Sequence, residues 1–197
     1  MIAIEAPPER VRAFVAIRLG TVIESAVADF IEPLRATSSG VHWVRREQLH
    51  VTLRFLGAEV SRAKITPFAQ ALAELTAAAQ SFTVAARGTG GFPDLTRPKI
   101  VWIGLVSDPL VTLAERVEAL ARGYGFAAER RPFAPHLTIG RVRGLQGWAP
   151  IRTRLTQAAN HEFGSETVDE VVVYRSILRP EGASYAEIAR CRLCAPG

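Results

Sequence analysis

Two short segments of the chain carry the same pattern, His50-Val51-Thr52-Leu53 and His136-Leu137-Thr138-Ile139. In an extended strand alternate residues project from one face, so His and Thr of each segment stand side by side while the intervening apolar residue turns to a core. Two such strands meeting across a cleft present two imidazoles and two hydroxyls around one phosphate-sized site. In-line hydrolysis of a phosphodiester needs a base to deprotonate water and an acid to protonate the departing alkoxide. Two histidines supply both, because an imidazole titrates near pH 6.5 and one ring can be neutral while the other is protonated. Threonine hydroxyls donate to non-bridging oxygens, and a nearby arginine offsets charge building on them. A single such histidine is more often a half-buried strand residue bonded to a carbonyl. The duplication is what favours chemistry.

Other residues near the motifs are weighed against the same two readings. Alternation puts Arg54 on the His50 face, where it either reaches a phosphate or forms an exposed ion pair. Trp43 and Phe133 flank the motifs and are candidates to stack on a base, the way single-stranded RNA ends are held. Phe55 is expected to point into the core, and Tyr174, on a long strand, is read as structural. His42 and His161 have no Thr two residues on and are read as surface histidines. The C-x-x-C pair, Cys191 and Cys194, falls in an apparent terminal strand with no second pair or nearby His to complete a zinc site. Zinc held by His50 and His136 lacks the third and fourth ligands such sites need, so no metal is expected.

The elements that must position these residues alternate along the chain. Arg12–Leu19 reads as a buried strand, and Ile23, Ala26, Val27, Phe30, Ile31 and Leu34 follow at helical spacing. His42–Val44 and His50–Leu56 read as strands, the second closed by Gly57. Thr66-Pro67 and Asp108-Pro109 are helix starts, each a capping side chain followed by proline at the first helical position. The first of these helices is expected to run to about Ala79; the second carries Leu110, Leu113, Val117 and Leu120 and closes at Gly123. Phe82–Ala86 and Lys99–Val106 are strand-like, separated by a Gly- and Pro-rich stretch, Gly88–Pro98, expected to be an exposed loop. His136–Val142 repeats the first motif strand, Pro150–Ala159 reads as a helix, and Val168–Leu178 with Ser184–Leu193 as two closing strands. No Gly-x-Gly-x-x-Gly or Walker loop occurs, so the pattern is α+β rather than a nucleotide-cofactor fold.

The whole chain sets the bounds. Its 197 residues, 48% apolar and 22% charged, suit one compact domain or two small lobes. The first ten residues have no basic region leading into an apolar stretch and read as a loose tail, and no apolar run approaches the roughly 18 residues of a membrane span. A cytoplasmic, membrane-free monomer is the expectation. A net charge of +5 favours a polyanionic partner such as RNA. Lys64 and Lys99 are the only lysines among 24 basic residues; the rest are arginines, whose planar fork suits phosphate.

Several segments together resemble a known family, the RNA 2',3'-cyclic phosphodiesterases of the two-histidine phosphoesterase superfamily, also called 2'-5' RNA ligases. These are RAFVAIRL, HWVRREQLHVTLRFLG around His50, GGFPDLTRPKIVWIGL, RPFAPHLTIGRVR around His136, and VVVYRSILRPEGASYAEIAR. The resemblance spans nearly the whole chain, taken as one domain, 1–197. It implies a bilobal α+β fold: two similar lobes with antiparallel sheets lining a central cleft and helices outside. It also implies metal- and cofactor-independent hydrolysis of an RNA 2',3'-cyclic phosphate, or a related cyclic nucleotide, to a 2'-phosphate end. By motif order it casts His50 as the proton donor and His136 as the proton acceptor, with Thr52, Thr138 and Arg141 holding the phosphate. Alternatives are 2'-5' ligation, the same reaction reversed, and a non-catalytic RNA- or nucleotide-binding module.

Overall fold

The first strand, β1 (Arg10–Ile17), is buried on both faces: Val11, Ala13, Val15 and Ile17 enter the main core, while Phe14 and Ala16 form a small second cluster with Val172 and Tyr174. A strand covered on both sides reads as a continuous apolar run, which is how it stands in the sequence. The structure, a computed structural model, describes residues 9–179 and 182–195, so most of the expected N-terminal tail lies outside the described residues.

After β1 come α1 (Thr21–Arg35), β2 (Val41–Trp43), a single 3-10 turn (Arg46–Gln48), β3 (Val51–Ser61), α2 (Arg62–Ala77), β4 (Phe82–Phe92) and β5 (Ile100–Val106). There follow α3 (Asp108–Gly123), β6 (His136–Val142), α4 (Trp148–Gln157), β7 (Glu162–Val168), β8 (Glu170–Arg179) and β9 (Gly182–Arg192). The fold is α+β, with two antiparallel sheets ordered β3-β1-β8-β9 and β2-β6-β5-β4-β7. The lobes are interleaved rather than consecutive, since the first sheet takes both the earliest and the last strands. Helix packing crosses over as well: α1 follows a strand of the first sheet but packs on β7 of the second, and α3 follows β5 of the second but packs on β3 of the first. One continuous apolar core therefore runs behind both sheets.

Four elements differ from expectation. Strand β3 is not closed by Gly57 but runs through it, at a φ of 147° that glycine tolerates, to Ser61. Helix α2 begins one turn before Thr66, and the Thr66 hydroxyl donates to the Arg62 carbonyl instead of capping (3.1 Å). So near the helix start, Pro67 costs one intrahelical bond. Strand β4 continues to Phe92 through the stretch expected to be a loop, because Gly90 lets the Trp102 indole of β5 lie on its backbone; a Cβ there would sit 2.2 Å from the ring. Strand β7 went unread because it is an edge strand whose buried apolar side chains are only Phe163 and Val168, too few to show a period. Among the cysteines, Cys191 is buried in β9, where burial pushes its thiol up, and Cys194 is exposed beyond the strand; both are free.

Candidate active site

His50 stands immediately before β3 and His136 opens β6, one in each sheet. Each ring is fixed in the same way. The Nδ1 of His50 lies 2.7 Å from the Gln48 carbonyl, and the Nδ1 of His136 lies 2.7 Å from the Ala134 carbonyl, both two residues back along the chain. A carbonyl only accepts, so Nδ1 carries the hydrogen and Nε2 is left as the free nitrogen of each ring. The strands approach one another, with Cα atoms of β3 and β6 within 8 Å.

The register of each motif strand breaks at the same place. β1 pairs Ala16 with Thr52 and Val15 with Arg54, leaving Leu53 as an extra residue; β5 pairs Trp102 with Thr138 and Val101 with Gly140, leaving Ile139 extra. A bulge directly after the motif threonine inverts the phase of alternation. Leu53 and Arg54 are therefore both buried, as are Ile139 and Gly140, and the residues five after each histidine return to the cleft face. In the first sheet that residue is Phe55, which packs against the small cluster of Phe14, Ala16, Val172 and Tyr174 beside His50. In the second it is Arg141, whose charge acts on both His50 and Tyr185 across the cleft. Among the described residues no carboxylate pairs with Arg141.

Three expectations for the flanking residues are corrected by this geometry. Arg54 does not share the His50 face; it is 4% exposed and pairs behind the sheet with Glu118 and Glu129. Phe55 takes the cleft position in its place, with the Arg12 guanidinium 4.4 Å from its ring centroid. Trp43 is 5% exposed and packs in the core against Gly140, so it offers no face to a base. Phe133 is half-buried against the main core. Tyr174 is buried, though it borders the recess beside His50, while His42 and His161 are exposed.

Aromatic side chains that sequence reasoning passed over line the site instead. The ring of His50 lies against Phe14 (centroids 5.0 Å apart) and meets Tyr185 edge-on at 4.9 Å. His136 meets Phe92 edge-on at 5.1 Å, and Phe92 packs on Trp102 at 5.4 Å. The Gly90-Gly91-Phe92 run was the available signal for the second pair, since glycines inside a strand mark a close approach by another group. Beside His50 a recess of about 110 Å³ is lined by Arg18, Gln48, Tyr174, Tyr185 and Glu187. Burial holds His50 below the ordinary imidazole range; the Gln48 carbonyl opposes this, and the guanidinium charges of Arg141 and Arg18 add to it.

Two antiparallel sheets that each carry a His-x-Thr strand, in a fold shared with solved phosphoesterase structures, place the chain among the two-histidine phosphoesterases. Within that class the chain belongs to the 2'-5' RNA ligase superfamily, whose family model matches residues 23–178. It is 32% identical over 187 residues to an RNA 2',3'-cyclic phosphodiesterase of Methanothermobacter thermautotrophicus, covering 93% of this chain and 100% of that one. A Geobacillus stearothermophilus protein of the same name is 33% identical over 169 residues, 85% of this chain; the chain spans 53% of that longer relative. Among solved structures, E. coli LigT complexed with 3'-AMP superposes with a TM-score of 0.70 at 25% identity, over 94% of this chain and 99% of that one. Among the described residues no helix is long and apolar enough to cross a membrane.

Proposed function

We propose that the cleft hydrolyses RNA 2',3'-cyclic phosphate ends to 2'-phosphomonoesters, with the two histidines as the acid–base pair and no metal. The observation that carries this is the repeated carbonyl bond: both Nδ1 atoms are engaged, so both rings offer Nε2. In the reaction His136 Nε2 takes a proton from water, the water oxygen attacks phosphorus, the bond to the 3'-oxygen breaks, and His50 Nε2 returns a proton to that oxygen. Thr52 and Thr138 hold the non-bridging oxygens and Arg141 offsets their charge. Because the bulge brings Arg141 to the face of Thr138, one anion can meet all three. Relatives bear the name of this activity, and one neighbour binds 3'-AMP, a nucleotide with a phosphate on its ribose.

The depressed protonation of His50 fits a donor that is loaded by its substrate. In the free protein burial, and after it the Arg141 and Arg18 guanidinium groups, favour the neutral ring; a bound phosphodiester offsets those two charges and raises its proton affinity. Both proton transfers are assigned to imidazole because each ring offers its Nε2. The protein is proposed to act as a monomer on a single RNA end.

The test is an oligonucleotide ending in a 2',3'-cyclic phosphate, incubated with chelator present. A 2'-monophosphate product is expected, and replacing either His50 or His136 by Ala is expected to cut turnover by about 100-fold or more while binding is largely kept. A 3'-monophosphate product contradicts the leaving group, and unchanged turnover in either variant removes the proposal.

A further inference from the structure

Residues 126–135 carry neither helix nor strand, only a bend at 130–131, yet they deliver His136 to β6. This segment leaves α3, which packs on β3 of the first sheet, and ends in the second sheet, so it crosses from one lobe to the other. At its first-sheet end it is tied to the motif strand by one side chain. Arg54 pairs with Glu118 of α3, lies 2.6 Å from Glu129 and donates to the Ala127 carbonyl; Glu118 in turn accepts from the Glu129 N–H at 3.0 Å. At the far end the Pro135 carbonyl accepts from the Leu105 N–H at 3.2 Å, and the Ala134 carbonyl holds His136.

A buried ion cluster is weak support for stability alone, since apolar side chains of similar volume often do as well or better. What they cannot do is hold three partners in a fixed geometry, as the guanidinium fork does. We infer that Arg54 is a positioning residue: by bracing the crossover segment against the strand of His50 and Thr52, it sets the separation of the two imidazoles. The inference rests on the histidines being the acid–base pair. Arg54 itself touches no substrate, because its guanidinium lies behind the sheet.

The experiment measures kcat, KM and melting temperature for Arg54→Met, Glu129→Gln and the double variant Arg54→Met/Glu118→Leu, alongside His50→Ala and His136→Ala. Sub-ångström to ångström misplacement of a catalytic group costs rate rather than affinity, so Arg54→Met is expected to lose about 10- to 100-fold in kcat with KM within about threefold. Glu129→Gln, on a half-exposed partner, is expected to keep the fold, lose about threefold or more in kcat, and shift the His136 imidazole resonances while those of His50 stay put. The double variant replaces the charges by apolar packing and is expected to recover melting temperature without recovering kcat. Recovery of both together shows a merely structural role and overturns the inference, as does wild-type kcat in folded Arg54→Met or Glu129→Gln. Should Arg54→Met not fold, the other two variants decide. Full turnover in His50→Ala or His136→Ala sinks the acid–base reading instead, so the two failures are told apart.

Discussion

The Nδ1 of His50 and the carbonyl of Gln48, 2.7 Å apart, together decide which ring nitrogen meets the substrate. Nitrogen-15 spectra of the neutral protein are expected to show His50 and His136 alike in the Nδ1–H tautomer. His50→Asn, whose amide can keep the bond to Gln48 but lacks Nε2, is expected to remain folded and lose about 100-fold or more in turnover. An active asparagine variant would show that Nε2 is not the working atom.

The protonation of His50 should be coupled to phosphate. Its imidazole is expected to titrate below the usual value of about 6.5 in the free protein and to move upward when inorganic phosphate or a 2'-nucleotide is added. The shift also has a sign in stability. Between the depressed folded value and about 6.5 the unfolded chain binds more protons, so stability rises with pH through that window. The contribution is full above about 6.5 and is lost as pH falls through the folded value. Chemical denaturation at a series of pH values, compared with His50→Gln, checks this; an identical slope in both proteins would exclude His50 as its source.

The charge of Arg141, on a strand of the second sheet, bears on His50 and Tyr185 of the first. Arg141→Ala is expected to lower kcat/KM by about 100-fold and, by removing a cation, to raise the titration point of His50. Arg141→Lys keeps the charge without the fork, so it is expected to hold His50 low while restoring only part of the rate. A His50 titration unaffected by Arg141→Ala would deny this electrostatic influence.

Trp43 belongs to packing rather than to base recognition. Its ring covers Gly140, where an added Cβ would meet it at 3.1 Å. Trp43→Ala is expected to cost about 3–5 kcal/mol of stability, read as a shift in denaturant midpoint. The KM values for substrates that differ in their terminal base are expected to change in parallel, without altered preference. A changed base preference at intact stability would return Trp43 to the substrate.

The two-histidine pair, its threonines and the α+β alternation are legible in the chain because each follows a local period: His and Thr two apart in a strand, Ile23 to Leu34 along one helical face. Local period also placed β1, α3 and β6 nearly at their true bounds. It failed one residue beyond each motif, where Leu53 and Ile139 bulge. A bulge depends on how a strand pairs with its neighbour, and the neighbours here, β1 and β5, lie far off in sequence. So alternation alone puts Arg54 at the phosphate and Phe55 in the core, and pairing exchanges them. The same pairing brings Arg141, an odd number of residues from His136, to the cleft. The aromatic walls, Phe14 with Tyr185 and Phe92 with Trp102, are likewise products of sheet order. What the sequence determined by itself was the chemistry available, two imidazoles each beside a hydroxyl. What only the tertiary structure decided was which neighbours share their face, because long-range strand register, not local spacing, controls the direction of a side chain after a bulge.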